Sequence, residues 1–116
     1  MYDVIIIGSG PAGLTAGIYC QRFGLITLLL AGTSWGGQLQ LTTDVENWPG
    51  TRTILGPQLM KNMRDHAVGL GVKIIDKSVT QLTMNGGRGL KSATTDVSSG
   101  RGLKSATTLS TTNGIF

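Results

Sequence analysis

The sequence predicts an α/β fold built on a parallel sheet, and three features carry that prediction. An unbroken apolar run, Val4-Ile5-Ile6-Ile7, enters a glycine-rich turn from which a helical pattern starts at once. A second apolar run at residues 25–30 returns after a helix-length interval, and a third short run, Val72-Lys73-Ile74-Ile75, follows a second helical pattern. Short apolar runs alternating with helical patterns are the mark of βαβ units, whose strands lie parallel.

The first run has four consecutive β-branched residues and reads as a strand buried on both faces. The turn after it is Gly8-Ser9-Gly10-Pro11-Ala12-Gly13. Gly8 permits the tight strand-to-helix turn, Gly10 lets a pyrophosphate approach the backbone, and Gly13 lets the helix pack closely on the strand. Pro11 stands where a helix tolerates a missing N–H. The free amides of the first turn and the positive end of the helix dipole form an anion site. In a chain with 18 glycines a GxGxxG alone is a weak signal. A strand before it and a helix after it make it a dinucleotide motif of the Rossmann-like βαβ kind.

The helix is expected over residues 11–23, with Leu14, Ile18 and Phe23 near helical spacing and Ala12, Gly13, Ala16 and Gly17 thinning its sheet-facing side. Gly24 suits a left-handed C′ position. Cys20, inside the helix, reads as a small buried hydrophobe rather than a redox group. The run at 25–30 closes a βαβ unit of mononucleotide-binding size. In many such units an acid ends this strand and binds ribose hydroxyls, whereas here Ala31-Gly32 ends it. That departure argues against a simple NAD site and leaves the ribose to backbone or to another group.

Residues 33–52 read as a long irregular stretch, and such stretches are usually functional or disordered. Two tryptophans, Gly36-Gly37, Gln38, Thr42-Thr43, Asn47 and a Trp48-Pro49-Gly50 turn favour function. Asp44 and Glu46 are read as solvated carboxylates, and Trp48 as an anchor for the turn. A second helix opens at Gly56-Pro57, with Leu59, Met60, Met63, Ala67 and Leu70 on one face and Gly69 and Gly71 at its end. His66 has no second ligand in the pattern and reads as a surface or helix-end histidine. The run at 72–75 is a third strand, parallel to the first two.

Past residue 84 the character changes. Asn85-Gly86 is a hairpin-turn dipeptide, and GRGLKSATT occurs at residues 87–95 and again at 100–108. Two copies with so few apolar residues cannot form a solenoid. Either one strand of a hairpin has been duplicated, with residues 111–116 starting the next strand, or this is a flexible Gly/Ser/Thr-rich tail. The domain reading is therefore residues 1–84 and residues 85–116.

The formal net charge of +4 does not describe a basic face. Residues 1–84 carry six basic groups (Arg22, Arg52, Lys61, Arg64, Lys73, Lys77) against five acids (Asp3, Asp44, Glu46, Asp65, Asp76), so the excess belongs to the tail. Sparse cations without interleaved aromatics argue against a nucleic-acid partner. One cysteine excludes a disulfide framework and a CxxC pair. No signal or membrane segment is read at the N-terminus, and a cytoplasmic location is expected, with an organelle lumen as the alternative that this feature does not separate.

The blocks YDVIIIGSGPAGLTAGIY, GGQL, TTDVENWPG and ILGPQLMKNMRDHA, in this order and spacing, resemble the amino-terminal end of the small bacterial-type thioredoxin reductases over about residues 1–84. The resemblance implies an incomplete FAD-binding domain in which Gly8, Ser9, Gly10, Pro11, Ala12 and Gly13 take the pyrophosphate. Ala31, Gly32, Gly36, Gly37 and Leu39 would lie along the adenosine and ribityl parts, and Gln38, Thr43 and Asn47 would hydrogen-bond the flavin end. It implies electron transfer from NADPH through FAD to a disulfide in the full-length family, with thioredoxin as partner and a homodimer as assembly. The family's CxxC and its second, NADPH-binding GxGxxG are not in this sequence, so no catalytic or metal-ligating residue is assigned. The isolated chain is expected to be an inactive piece of such an enzyme. A non-catalytic dinucleotide-binding module and a truncated gene product are the alternatives.

Overall fold

A computed structural model describes residues 2–83, 92–96 and 106–109 of the chain. Its centre is β2 (Thr27–Leu30), buried at every position. β1 (Val4–Ile7) pairs with one edge of β2 in parallel, Ile5 opposite Leu28 and Ile7 opposite Leu30. β5 (Lys73–Ile75) pairs with the other edge, also in parallel, Leu29 opposite Ile74. The parallel arrangement expected of the three apolar runs is therefore present, in the order β1-β2-β5.

Between β1 and β2 runs helix α1 (Pro11–Arg22). Helix α2 (Gly56–Gly69) precedes β5. Leu14 and Ile18 of α1, Leu59, Met60, Met63 and Ala67 of α2, and Leu29, Ala31 and Val72 form one apolar core. Burying each large aliphatic side chain there contributes about 1.5–3 kcal/mol. The apolar face expected of α2 is the observed one, with Leu70 half-buried beside it. Gly24 follows α1 with φ +78°, as its C′ reading requires.

Five expectations are corrected. β1 is not buried on both faces: it is an edge strand, and Ile7 remains 48% exposed. The doubly covered strand is β2, which begins at Thr27 because Leu25 and Ile26 lie on the exposed approach to it. Phe23 is the C-cap residue of α1, beyond its last buried turn, and is 80% exposed. The thin side of α1 consists of Gly13 and Gly17, against Gly8 and Val72 respectively, while Ala12 and Ala16 face solvent. Cys20 is half-buried rather than buried.

Residues 33–52 are more regular than their composition suggests. A 3-10 helix spans Gly37–Leu41, and β3 (Asp44–Val45) pairs antiparallel with β4 (Ile54–Leu55). Too few apolar positions in series were present to give either a period. Trp48 is half-buried against the core, consistent with an anchor, and Asp44, Glu46 and His66 are exposed.

A separate antiparallel sheet has the order β6-β7-β8, with β6 at Val79–Thr83, β7 at Ser92–Asp96 and β8 at Ala106–Leu109. β7 comes from the first copy of the duplicated segment and β8 from the second, and they pair Thr94 opposite Thr108 and Thr95 opposite Thr107. The Asn85-Gly86 turn and the strand expected at 111–116 lie outside the described residues.

Candidate dinucleotide-binding site

The carboxyl ends of the parallel strands are joined by backbone hydrogen bonds that step across the sheet edge. The Gly8 N–H donates to the Leu30 carbonyl at 2.9 Å, the Ala31 N–H to Ile75 at 2.9 Å, and the Gly32 N–H to Lys77 at 3.2 Å. This edge is where open α/β sheets bind ligands. Gly8 turns the chain out of β1 with φ +107°, a conformation that a residue with a side chain adopts only under strain. Gly10 then caps α1 in an extended conformation (φ −67°, ψ 179°) without any side-chain cap, and Pro11 follows in the first turn. The first-turn amides of α1 are thus left for an anion.

The two later glycines of the motif do different things in the structure. A Cβ built at Gly10 meets nothing within 4 Å, so its missing side chain leaves an open space against the helix N-terminus. A Cβ built at Gly13 collides with the Gly8 carbonyl oxygen and lies 3.0 Å from the Gly8 carbonyl carbon. Gly10 therefore provides room for a ligand, and Gly13 provides the helix–strand contact.

Ser9 is 4% exposed. Its hydroxyl donates to the Ala31 carbonyl at 2.9 Å and accepts from the Gly36 N–H at 2.9 Å. This one side chain fastens the glycine turn to the end of β2 and to the Gly36-Gly37 turn. Gly36 and Gly37 have φ +95° and +62°, and a Cβ on Gly37 would stand 3.3 Å from the Gly10 Cα. The 3-10 helix that follows is tightly seated at its far end, where a Cβ on Gly56 would strike the Leu39 carbonyl and the Thr42 side chain. The Gly56 N–H donates to the Thr43 carbonyl at 2.7 Å.

Of the residues expected to form the site, the structure brings Gly8, Ser9, Gly10, Pro11, Ala12, Gly13, Ala31, Gly32, Gly36 and Gly37 to one edge. Leu39 packs against the core. Gln38, Thr43 and Asn47 are exposed, and among the described residues their side chains make no hydrogen bond. A cavity of about 340 Å³ between α2 and residues 48–54 and one of about 480 Å³ between α1, α2 and Trp48 share Trp48, Met63 and His66, and neither is lined by residues 8–13 or 36–37.

Sequence reasoning missed two fastenings. The Ser9 hydroxyl was indistinguishable from a ligand-facing one, because a serine between two glycines suits either task. Arg64 of α2 forms a two-pronged ion pair with Asp76, both contacts at 2.8 Å, and lies 4.7 Å over the Trp35 ring. Trp35 precedes the Gly36-Gly37 turn, so α2 steadies that turn from behind. A twelve-residue separation across a helix and a strand leaves no periodic signal for such a pair.

A glycine turn opening a helix at the carboxyl edge of a parallel sheet defines a dinucleotide-binding α/β unit. The family model described as "Pyridine nucleotide-disulphide oxidoreductase" matches residues 2–110, and the chain belongs to that family. Among curated relatives, the thioredoxin reductase of Coxiella burnetii is 46% identical over 85 residues, covering 72% of this chain and 27% of the relative. That of Bacillus subtilis is 51% identical over 73 residues, covering 63% and 23%. The solved thioredoxin reductase of Lactococcus lactis superposes with a TM-score of 0.77 at 37% identity, over 96% of this chain and 33% of that one. The chain thus spans about a quarter of the length of these curated relatives. The family match also runs past residue 84, the expected limit of the resemblance, into the duplicated segment.

Proposed function

We propose that this chain is the FAD-binding part of a thioredoxin-disulfide-reductase-like flavoprotein. The observation that carries the reading is the space at Gly10, open against the uncapped N-terminus of α1 and bordered by Gly37. The missing side chain leaves room for a phosphate to approach the backbone, where its charge would meet the positive end of the helix dipole. Gln38, Thr43 and Asn47, exposed and with hydrogen-bonding capacity free, are the side chains offered to the flavin end. Bound FAD supplies the two-electron relay between a nicotinamide donor and a disulfide, and the chain's own residues bind and orient it. The family description supports a pyridine nucleotide as donor, read here as NADPH, and the relatives' names support thioredoxin as the disulfide partner of the longer protein.

A cytoplasmic, homodimeric enzyme is the corresponding setting. Among the described residues no helix is long and apolar enough to cross a membrane. A second reading, a dinucleotide-binding module without catalysis, is favoured by the single cysteine, Cys20, which leaves no dithiol among these 116 residues. The residue division at 84/85 remains part of the proposal, with the FAD site assigned wholly to residues 1–84.

The test is the visible spectrum of the purified chain and chromatography of what heat releases. Both readings expect an oxidised-flavin band with FAD released, or FAD taken up when added. A colourless chain that stays folded and does not bind FAD would remove them. If FAD is bound, the coding sequence after Phe116 separates the two readings: a CxxC pair and a second GxGxxG there make the chain part of a reductase, whereas their absence leaves the module.

A further inference from the structure

We infer that the Ser9 side chain is a positioning residue and not a ligand of the dinucleotide: its hydroxyl latches residues 36–41 onto the pyrophosphate turn, so the two ends of the site close as one unit. The inference rests on the FAD reading above, but it concerns this chain's own hydrogen bonds.

A serine hydroxyl has one proton to donate. Here that proton goes to the Ala31 carbonyl, and the oxygen accepts from the buried Gly36 N–H, each at 2.9 Å. No donor remains for a phosphate oxygen, and the remaining lone pair would repel one. At 4% exposure the side chain also faces inward, so only the backbone of Ser9 is left to face a ligand.

The latched partner is a mechanical element. Gly36 and Gly37 turn the chain back over Gly10, and the 3-10 helix of Gly37–Leu41 carries Gln38 and Leu39 away from that turn. Gly56 clamps its far end against Leu39 and Thr42. With one end held by Ser9 and the other by Gly56, the segment that offers Gln38 has little freedom to move independently of Gly10. Loss of the hydroxyl leaves a buried Gly36 N–H without its acceptor, which costs enough to shift a local equilibrium by roughly tenfold or more.

The experiment combines amide hydrogen exchange at Gly36 with titration of ADP and FAD into the full chain and into Ser9→Ala and Ser9→Thr. ADP spans only the adenosine and pyrophosphate end, whereas FAD also reaches the segment carrying Gln38. Ser9→Ala should speed Gly36 exchange by about tenfold or more and weaken FAD by a larger factor than ADP. Ser9→Thr, which keeps the hydroxyl, should restore Gly36 protection. Equal losses for ADP and FAD would overturn the coupling, as would an unprotected Gly36 amide in the folded wild-type chain. Should Ser9→Ala not fold, the wild type decides: ADP saturation must slow Gly36 exchange, because coupling is reciprocal, and no change there refutes the latch. If the wild type binds neither ligand, the FAD reading fails, and the exchange comparison alone still rules for or against the latch.

Discussion

Gly10 and Gly13 belong to one motif, yet the structure gives them opposite sensitivities. A methyl group at Gly13 would be driven into the Gly8 carbonyl oxygen, with the Gly8 carbonyl carbon only 3.0 Å away. Both are backbone atoms, so no flexible side chain can swing aside, and α1 must lift from β1. Overpacking of that kind costs about 1–3 kcal/mol. At roughly 4–8 °C per kcal/mol for a chain near this size, Gly13→Ala should lower the melting temperature by about 10 °C. A methyl at Gly10 meets nothing within 4 Å, and φ there is an unstrained −67°. Its effect on stability is the small difference between lost unfolded-state freedom and a poorer N-cap, each of some tenths of a kcal/mol. Gly10→Val should therefore melt within about 3 °C of the wild type but bind neither ADP nor FAD, since the branched side chain fills the space left for the pyrophosphate. Thermal melts by circular dichroism and calorimetric titration read the two quantities. A Gly13→Ala chain that melts like wild type, or a Gly10→Val chain that binds ADP normally, would refute this division of tasks.

Met60 is fully buried in the shared core, so Met60→Ala should destabilise by about 2–5 kcal/mol in urea unfolding. In a small domain that is a large part of a total near 5–15 kcal/mol. The exposed C-cap residue behaves differently: Phe23→Ser should change stability by less than about 0.5 kcal/mol. A loss of several times that would restore Phe23 to the core. Arg64 pairs with Asp76, whose side chain is 50% exposed, and stacks on Trp35. Removing the acid in Asp76→Ala should cost no more than about 0.5 kcal/mol, and Arg64→Ala about 1 kcal/mol more through the lost stacking. Equal effects in the two variants would show that the stack contributes nothing.

The parallel strands, both helices and the glycine turn were legible because each rests on a local rule. Four β-branched residues, a proline in a first turn, and the i, i+3, i+4 spacing of Leu59, Met60 and Met63 need no tertiary information. What failed depended on neighbours. Ile7 looks as apolar as Leu29, and only the strand order makes one an edge residue and the other a core residue. Phe23 continues the helical spacing of Leu14 and Ile18 but falls one residue past the end of α1. The 3-10 helix and the β3–β4 pair are too short to impose a period, so the Gly36-Gly37 doublet marked a functional stretch without revealing the elements around it. The convergence of Gly10, Ala31 and Gly36 was foreseeable from the motif and the resemblance. The hydroxyl that holds them together was not, because nothing in the spacing says which way a serine points.

The absent acid at the end of β2 acquires a physical meaning once the hydrogen bonds at that point are traced. In the usual arrangement a carboxylate accepts from the ribose hydroxyls. Here the Ala31 N–H is taken by Ile75, the Ala31 carbonyl by Ser9 and the Gly32 N–H by Lys77. The Thr33 N–H is directed to the Ser78 hydroxyl at 3.4 Å. The strand end has committed its backbone polar groups to holding the sheet edge and the Gly36 turn in place. A ribose seated against it would meet the Gly32 carbonyl and the exposed side chains of Thr33 and Ser34, which are neutral and can both donate and accept. An adenosine proposed to lie there would find no carboxylate among residues 31–34. On the proposed FAD reading, affinity would come chiefly from the pyrophosphate against α1 and from the far end of the ligand, so the connection between those two ends, through Ser9 and Gly36, would carry more of the binding than a carboxylate at the end of β2 would leave to it.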